Sequence, residues 1–172
     1  MAAKVVALLV VAVLLQVIVV SHVSILGVTG DLFLILTVIV AVSRGSLEAA
    51  VFGFFAGLIA DIAYFSPLGV RSLVYVLAGY LVGVFVARFA ISKPWSVVLL
   101  SGVTSFLAQF MYGLFQYVMG PRGGFLTMIG TQMLPEMVLD ALITAPLYVL
   151  FVRTGLLPVR HVEAAQFGGA EE

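Results

Sequence analysis

The sequence contains no cysteine and no asparagine, and only two of its 172 residues are histidine. The lack of cysteine excludes disulfide bonds, thiol catalysis and thiolate metal sites. The two histidines, His22 and His161, lie far apart at the edges of apolar segments, which argues against a histidine metal site. We therefore expect no metal or other cofactor.

Charge is also scarce. Only 9% of the residues are charged, and the 8 basic and 8 acidic side chains cancel. A balanced chain has no basic field that would attract nucleic acid. By contrast, 63% of the residues are hydrophobic, and the mean hydropathy is +1.27. No soluble domain of this length can bury so much apolar side chain, so the composition predicts an integral membrane protein.

Six apolar segments are predicted to form one all-α transmembrane bundle within residues 1–153, at about 5–26, 28–43, 47–65, 70–91, 95–119 and 133–152. A membrane span needs about 17–25 residues, so the second segment is short. It is either a tilted short helix or half of a broken one. The first run is too long for a signal peptide and is interpreted as a retained helix. Residues 154–172 are predicted to form a cytoplasmic tail.

The basic residues predict the orientation. With six spans and a cytoplasmic N-terminus, the cytoplasmic side holds Lys4, Arg44, Arg88, Lys93, Arg153 and Arg160. The outer side then holds Arg71 and Arg122. This bias follows the positive-inside rule and places both termini in the cytoplasm of a multi-pass inner-membrane protein. If the second segment does not span, the count is five and this orientation does not hold.

Small residues line one face of the third segment and one face of the fourth. Gly53 and Gly57 are four residues apart, as are Gly79 and Gly83. Such spacing lets two helix backbones approach closely in lipid. The faces serve either packing within the bundle or docking of a foreign helix. We expect Gly57 and Gly83 to tolerate alanine but not leucine.

Polar stripes mark the last two segments. The fifth carries Ser101, Ser105, Gln109, Tyr112 and Gln116, and the sixth carries Gln132, Glu136, Asp140 and Thr144. Charged groups within a bilayer are costly unless they face a bundle interior, so the stripes should face each other or Asp61. Gln116, Glu136 and Asp140 are predicted to form a polar network in the outer half of the membrane. It is either structural or a ligand or proton site.

Asp61 lies near the outer end of the third segment, and Arg71 opens the fourth just across a short turn. Arginine keeps its charge in almost any environment and would hold a neighbouring carboxylate ionised. We therefore expect an Asp61–Arg71 ion pair that closes the outer ends of these two helices.

Enzyme motifs are lacking. The intramembrane aspartates suggest an aspartyl protease, but lipoprotein signal peptidase motifs need asparagine, and Val28 replaces glycine in the Gly-x-Gly-Asp pattern that ends at Asp31. The chain also has no rhomboid-like Gly-x-Ser-Gly motif and no phosphate-binding glycine loop. We expect no enzymatic activity.

Several pieces occur in a distinctive order. Gly30-Asp31-Leu32 opens the short second segment, and GFFAGLIAD, PLG and YVLAGYLVG follow between Gly53 and Gly83. This arrangement resembles the MreD family of rod shape-determining proteins. One departure is Gly30, where the family usually has proline. The resemblance is densest from Asp31 to Gly83.

The resemblance implies a membrane scaffold of the bacterial cell-elongation complex that binds MreC and helps position peptidoglycan synthesis. Through MreC it would join MreB filaments, RodA and the transpeptidase partner of RodA. The family also resembles, in fold, the substrate-binding subunits of energy-coupling-factor transporters. A substrate-binding or transport subunit with a ligand site in the outer half of the membrane is therefore the alternative. The sequence leaves the contact helices, the stoichiometry and any bound lipid undecided.

Overall fold

A computed structural model describes residues 16, 29–64, 67–89, 91, 93–120 and 125–153. Its elements are α1 (Leu32–Arg44), α2 (Ser46–Ala63), α3 (Val70–Phe89), α4 (Pro94–Met119), α5 (Phe125–Met128), a π-helical turn (Ile129–Met133) and α6 (Leu134–Arg153). All elements in these ranges are helical. Four of them are long and apolar enough to cross a membrane: α2, α3, α4 and the continuous segment Ile129–Arg153. The protein is thus a multi-pass membrane protein that is all-helical in the described ranges.

The expected count of six membrane-spanning helices is not supported. Five of the six predicted segments are helices in the described ranges, but only four reach spanning length. The first segment, about 5–26, lies outside the described residues except for Gln16, and so does the tail 154–172. The last helical stretch starts at Phe125 rather than at 133, because α5 and the π turn lead directly into α6.

The second segment forms a short helix in the centre of the bundle. Every residue of α1 is buried except Arg44, and α2, α3, α4 and α6 all pack against it. A helix that is apolar on all sides suits such a position. Gly45, with φ of 99°, then reverses the chain directly into α2, and this left-handed backbone favours glycine. The second segment is therefore a short helix, and its tilt stays a prediction.

The small-residue faces of α2 and α3 lie against each other. A Cβ atom on Gly57 would be 2.5 Å from Cα of Ser72, and one on Gly83 would be 2.4 Å from Cα of Ser46. The two backbones therefore touch, and packing within the bundle explains these glycines. The expectation that alanine is tolerated at Gly57 and Gly83 is wrong, because a methyl group would already collide with main-chain atoms.

The other two predicted glycines, Gly53 and Gly79, lie where α1 joins this contact. A Cβ on Gly53 would be 2.6 Å from the carbonyl oxygen of Tyr75, and one on Gly79 would be 2.8 Å from that of Ala49. Both would also approach Cγ2 of Thr37 in α1, at 3.2 and 2.9 Å. Gly53 and Gly79 thus bring α1, α2 and α3 together, whereas Gly57 and Gly83 join α2 and α3 only.

Candidate functional site: a polar cavity at the buried end of α1

Helix α1 begins inside the bundle, where the backbone N–H groups of its first turn need hydrogen-bond partners. Oδ1 of Asp31 accepts the N–H of Leu34 at 3.2 Å and caps the helix. The N–H of Asp31 itself donates to Oδ1 of Asp140 at 2.8 Å, and that of Leu32 donates to Oε1 of Gln16 at 3.1 Å. Carboxylates at this positive end of the helix dipole are favourable. Three segments of the chain therefore meet at the start of α1.

Gln16 ties the first segment to this site. Its Nε2 donates to the carbonyl oxygen of Gly30 at 3.3 Å and to the hydroxyl of Tyr64. The residue is buried and helical. An amide has both donors and an acceptor, so one side chain satisfies the carbonyl before α1 and the N–H that begins it.

Arg71 is held on several sides. Its Nη1 lies 3.4 Å from Oδ2 of Asp31 and 3.4 Å from the hydroxyl of Tyr75, which in turn donates to Asp31. The guanidinium lies between the rings of Tyr64 and Tyr112, at 4.8 and 4.4 Å from their centroids. Cation–π contacts of this kind stabilise a desolvated arginine. Arg71 therefore joins α3, α4 and the start of α1.

The expected Asp61–Arg71 ion pair needs correction. The guanidinium of Arg71 pairs with Asp31, and Asp61 meets Arg71 through the main chain instead. Oδ1 of Asp61 accepts the N–H of Arg71 at 3.3 Å, and its Oδ2 accepts the N–H of Gly69 at 2.7 Å. The turn at Gly69, with φ of 97°, directs these N–H groups back towards α2. Asp61 thus caps the start of α3, which leaves the arginine side chain to extend inwards.

The two polar stripes face each other, as expected. Three hydrogen bonds join them: Ser101–Thr144 at 2.7 Å, Ser105 to Asp140 at 2.5 Å, and Gln109 to Glu136. Successive hydrogen-bonded pairs are one helical turn apart on both α4 and α6, which run antiparallel. Each pair joins two polar groups whose burial in the membrane would otherwise cost free energy. The stripes therefore hold α4 against α6.

A cavity of about 390 Å³ lies beside the start of α1. Its wall includes Asp31, Arg71, Gln109, Tyr112, Gln116 and Glu136. Of the predicted network, Gln116 and Glu136 line the cavity, and Asp140 lies beneath it, bonded to Ser105 and to the N–H of Asp31. No hydrogen bond connects Gln116 with either carboxyl in the described part of the structure. The three residues thus share one site but form no single network.

The π turn Ile129–Met133 also contributes to the wall, through Gln132 and Met133. A π turn adds a residue to a helical turn and often occurs at functional sites. Glu136 follows one turn later in α6. The widened turn therefore precedes the acidic residue of the cavity wall.

Sequence reasoning missed the central role of Asp31, which it treated only as part of an incomplete protease pattern and of a family motif. An acidic residue just before an apolar run is a signal for a helix N-cap, and that signal was present. Tyr64, Tyr75 and Gln16 carried no comparable signal, because each is a single polar group in an apolar stretch.

The hydrogen-bonding and charged groups of this site can either bind a ligand or hold the helices together. Asp31 pairs with the guanidinium of Arg71, Glu136 lies in the same cavity wall, and Asp140 accepts the N–H of Asp31. Within the described ranges, no group of three or more His, Cys, Asp or Glu side chains is placed to hold a metal ion.

Comparison with known proteins gives one match. A family model described as rod shape-determining protein MreD matches residues 2–154. No curated protein matches, and no solved structure matches, so the expected likeness to energy-coupling-factor subunits has no structural support.

Proposed function

We propose that this chain, which belongs to the MreD family of rod shape-determining proteins, is a non-enzymatic membrane scaffold of the cell-elongation complex. It would bind MreC and, through MreC, help position MreB filaments, RodA and the transpeptidase partner of RodA for peptidoglycan synthesis. The family match over residues 2–154 carries this proposal. The bundle supports it, because α1 is enclosed by helices and its capping groups are paired, which suits a rigid platform.

We further propose that the chain lies in the inner membrane with six spans and with both termini in the cytoplasm. The end of the bundle at which α1, α3 and α6 finish and α2 and α4 begin carries Arg44, Arg88, Lys93 and Arg153. The opposite end carries the cavity with Arg71. This asymmetry follows the positive-inside rule if the cavity opens outwards. The short helix α1 and the first segment would supply the two spans beyond the four helices of spanning length.

Copurification tests the scaffold proposal. The tagged chain, coexpressed with MreC and solubilised in a mild detergent, should retain MreC through two purification steps. An unrelated multi-pass protein with the same tag serves as the control. Reproducible loss of MreC while both proteins remain folded would contradict the proposal.

A cellular assay tests the shape function separately. Depletion of this protein from its host should give rounded cells. The wild-type chain should restore the shape, and Glu48→Gln, which changes only a pair at the cytoplasmic end, should restore it as well. Unchanged cell shape after depletion would contradict a role in shape determination.

The cavity favours one alternative, a substrate-binding or transport subunit with a ligand site in the outer half of the membrane. Such a subunit would be encoded beside a transporter ATPase pair and would copurify with it. A scaffold would be encoded beside MreC. Gene neighbourhood and copurification therefore separate the two functions.

A further inference from the structure

We propose that the cavity beside α1 binds a protonated primary amine, with the carboxylate of Glu136 as its anchoring group. The amine would come from a lipid headgroup or from a free solute. This site goes beyond the scaffold function and does not depend on it. The inference rests on which polar groups in the cavity wall already have partners and which have capacity left.

Two of the three carboxyls at the site are already engaged. Asp31 accepts the N–H of Leu34, the hydroxyl of Tyr75 and the guanidinium of Arg71. Asp140 accepts the hydroxyl of Ser105 and the N–H of Asp31. Both are at most 3% exposed, so a ligand in the cavity has little access to them.

Glu136 differs from these two. It is only partly buried and lies in the cavity wall, and in the described ranges its single hydrogen-bond partner is the amide of Gln109. A carboxylate can accept about four hydrogen bonds, so Glu136 has acceptor positions to spare. An ammonium group has three donors and one positive charge, and it fits both the geometry and the charge of this position.

An anionic ligand fits less well. The cation of the described wall is Arg71, whose Nη1 already pairs with Asp31 and Tyr75 and whose guanidinium lies over two aromatic rings. The described site holds three carboxyls and one guanidinium, so acidic groups outnumber basic ones. An anion would have to share Arg71 with Asp31 and would also meet the carboxylate of Glu136.

The remaining wall suits a small polar molecule. Gln116 and Gln132 are exposed in the wall and offer amide oxygens to further ligand donors. The amide of Gln132 lies one helical turn before the carboxylate of Glu136 on the same continuous helical segment. The volume of about 390 Å³ falls within the range of small-molecule sites. A group of the size of ethanolamine can therefore enter and reach Glu136.

Thermal unfolding tests the charge requirement. Purified full-length protein in mild detergent at pH 7 is titrated with ethanolamine hydrochloride, and with ethylene glycol at matched chloride concentration as the neutral control. A ligand that binds only the folded state raises the melting temperature with its concentration. We expect a saturating rise with ethanolamine only, an at least tenfold weaker apparent Kd in Glu136→Gln, and an unchanged Kd in Glu48→Gln.

Native mass spectrometry identifies the source of the amine. The protein is exposed to phosphatidylethanolamine and phosphatidylglycerol with identical acyl chains. Preferential retention of phosphatidylethanolamine that Glu136→Gln abolishes supports the lipid headgroup as the ligand. Equal retention of the two lipids, together with the ethanolamine response, supports a free amine.

Two results would overturn the proposal: equal responses of the wild-type protein to ethanolamine and ethylene glycol, or an unchanged ethanolamine Kd in folded Glu136→Gln. If Glu136→Gln does not fold, Gln116→Lys decides the question. This variant places a positive charge at an exposed position of the wall and should weaken ethanolamine binding at least threefold. An unchanged Kd in Gln116→Lys would then refute the amine site.

Discussion

At the scale of single residues, Arg71 is the charge on which the site depends. Its guanidinium reaches past Asp61 to the cap of a different helix and so links α3 with α1. The side chains of Arg71 and Asp31 are 16% and 4% exposed, so solvent screens the pair weakly. Loss of either partner would leave a largely buried charge without compensation.

A double-mutant cycle tests this assignment. Asp31→Asn and Arg71→Gln should each lower the free energy of unfolding by about 3–5 kcal/mol, and the double variant should be no worse than the poorer single variant. Reversible unfolding in detergent micelles measures the effect. The Arg44–Glu48 pair, which spans the turn between α1 and α2, serves as the control and should contribute less, about 0.2–1 kcal/mol.

The same cycle distinguishes Asp31 from Asp61 as the partner of Arg71. Asp61→Ala removes acceptors for two backbone N–H groups and should destabilise the protein on its own. Its coupling with Arg71→Gln should be smaller than that of Asp31, because only the main chain of Arg71 contacts it. A larger coupling for Asp61 would refute the observed pairing.

At the scale of elements, the contact of α2 with α3 depends on missing side chains. Glycine at this interface lets the two backbones touch, and such close approach drives helix association where lipid removes the hydrophobic effect. The contact leaves no space for even one methyl group at Gly57 or Gly83. The neighbouring atoms belong to the main chain of the facing helix, so they cannot move aside as a flexible side chain would.

Alanine substitution tests this tightness. Gly57→Ala and Gly83→Ala should each destabilise the protein by about 1–3 kcal/mol or more, because the backbones must separate. Gly130→Ala is the matched control, since no atom lies within 4 Å of the added methyl group. Thermal unfolding of the three variants should show a lower melting temperature for the first two only. Wild-type stability of Gly57→Ala would contradict the packing.

At the scale of the whole molecule, one end of the bundle is basic and the other holds the cavity. The four basic residues at the first end lie at helix termini, whereas Arg71 lies within the polar site. An orientation with the cavity outwards agrees with the positive-inside rule. It would also place the cavity within reach of outer-leaflet headgroups and of extracytoplasmic solutes.

Because the chain contains no cysteine, single introduced cysteines report the orientation directly. In intact cells, a membrane-impermeant maleimide should label Gln116→Cys at the cavity but should label Lys93→Cys only after permeabilisation. A reporter fused after Glu172 should be active in the cytoplasm. The reverse labelling pattern would invert the topology, and an extracytoplasmic reporter would indicate an odd number of spans.

The sequence by itself determined what depends on composition and on periodicity along one helix. The apolar runs identified the membrane class, and the four-residue spacing of glycines and polar residues placed each set on one helix face. The cost of polar groups in a membrane implied that the stripes on α4 and α6 face each other or Asp61, and the hydrogen bonds between them show that they face each other. The motifs between Asp31 and Gly83 also indicated the family before the comparison established it.

Only the tertiary structure decided which groups meet across helices. Sequence proximity favoured Asp61 as the partner of Arg71, yet the side chain of Arg71 reaches Asp31, which lies forty residues away. Asp61 is instead occupied by the backbone N–H groups of Gly69 and Arg71, which the turn at Gly69 directs towards it. Likewise, the spacing of the glycines implied close packing, but only the facing backbone shows that a single methyl group is too large. Such choices depend on the distance between helices, which no pattern along one segment contains.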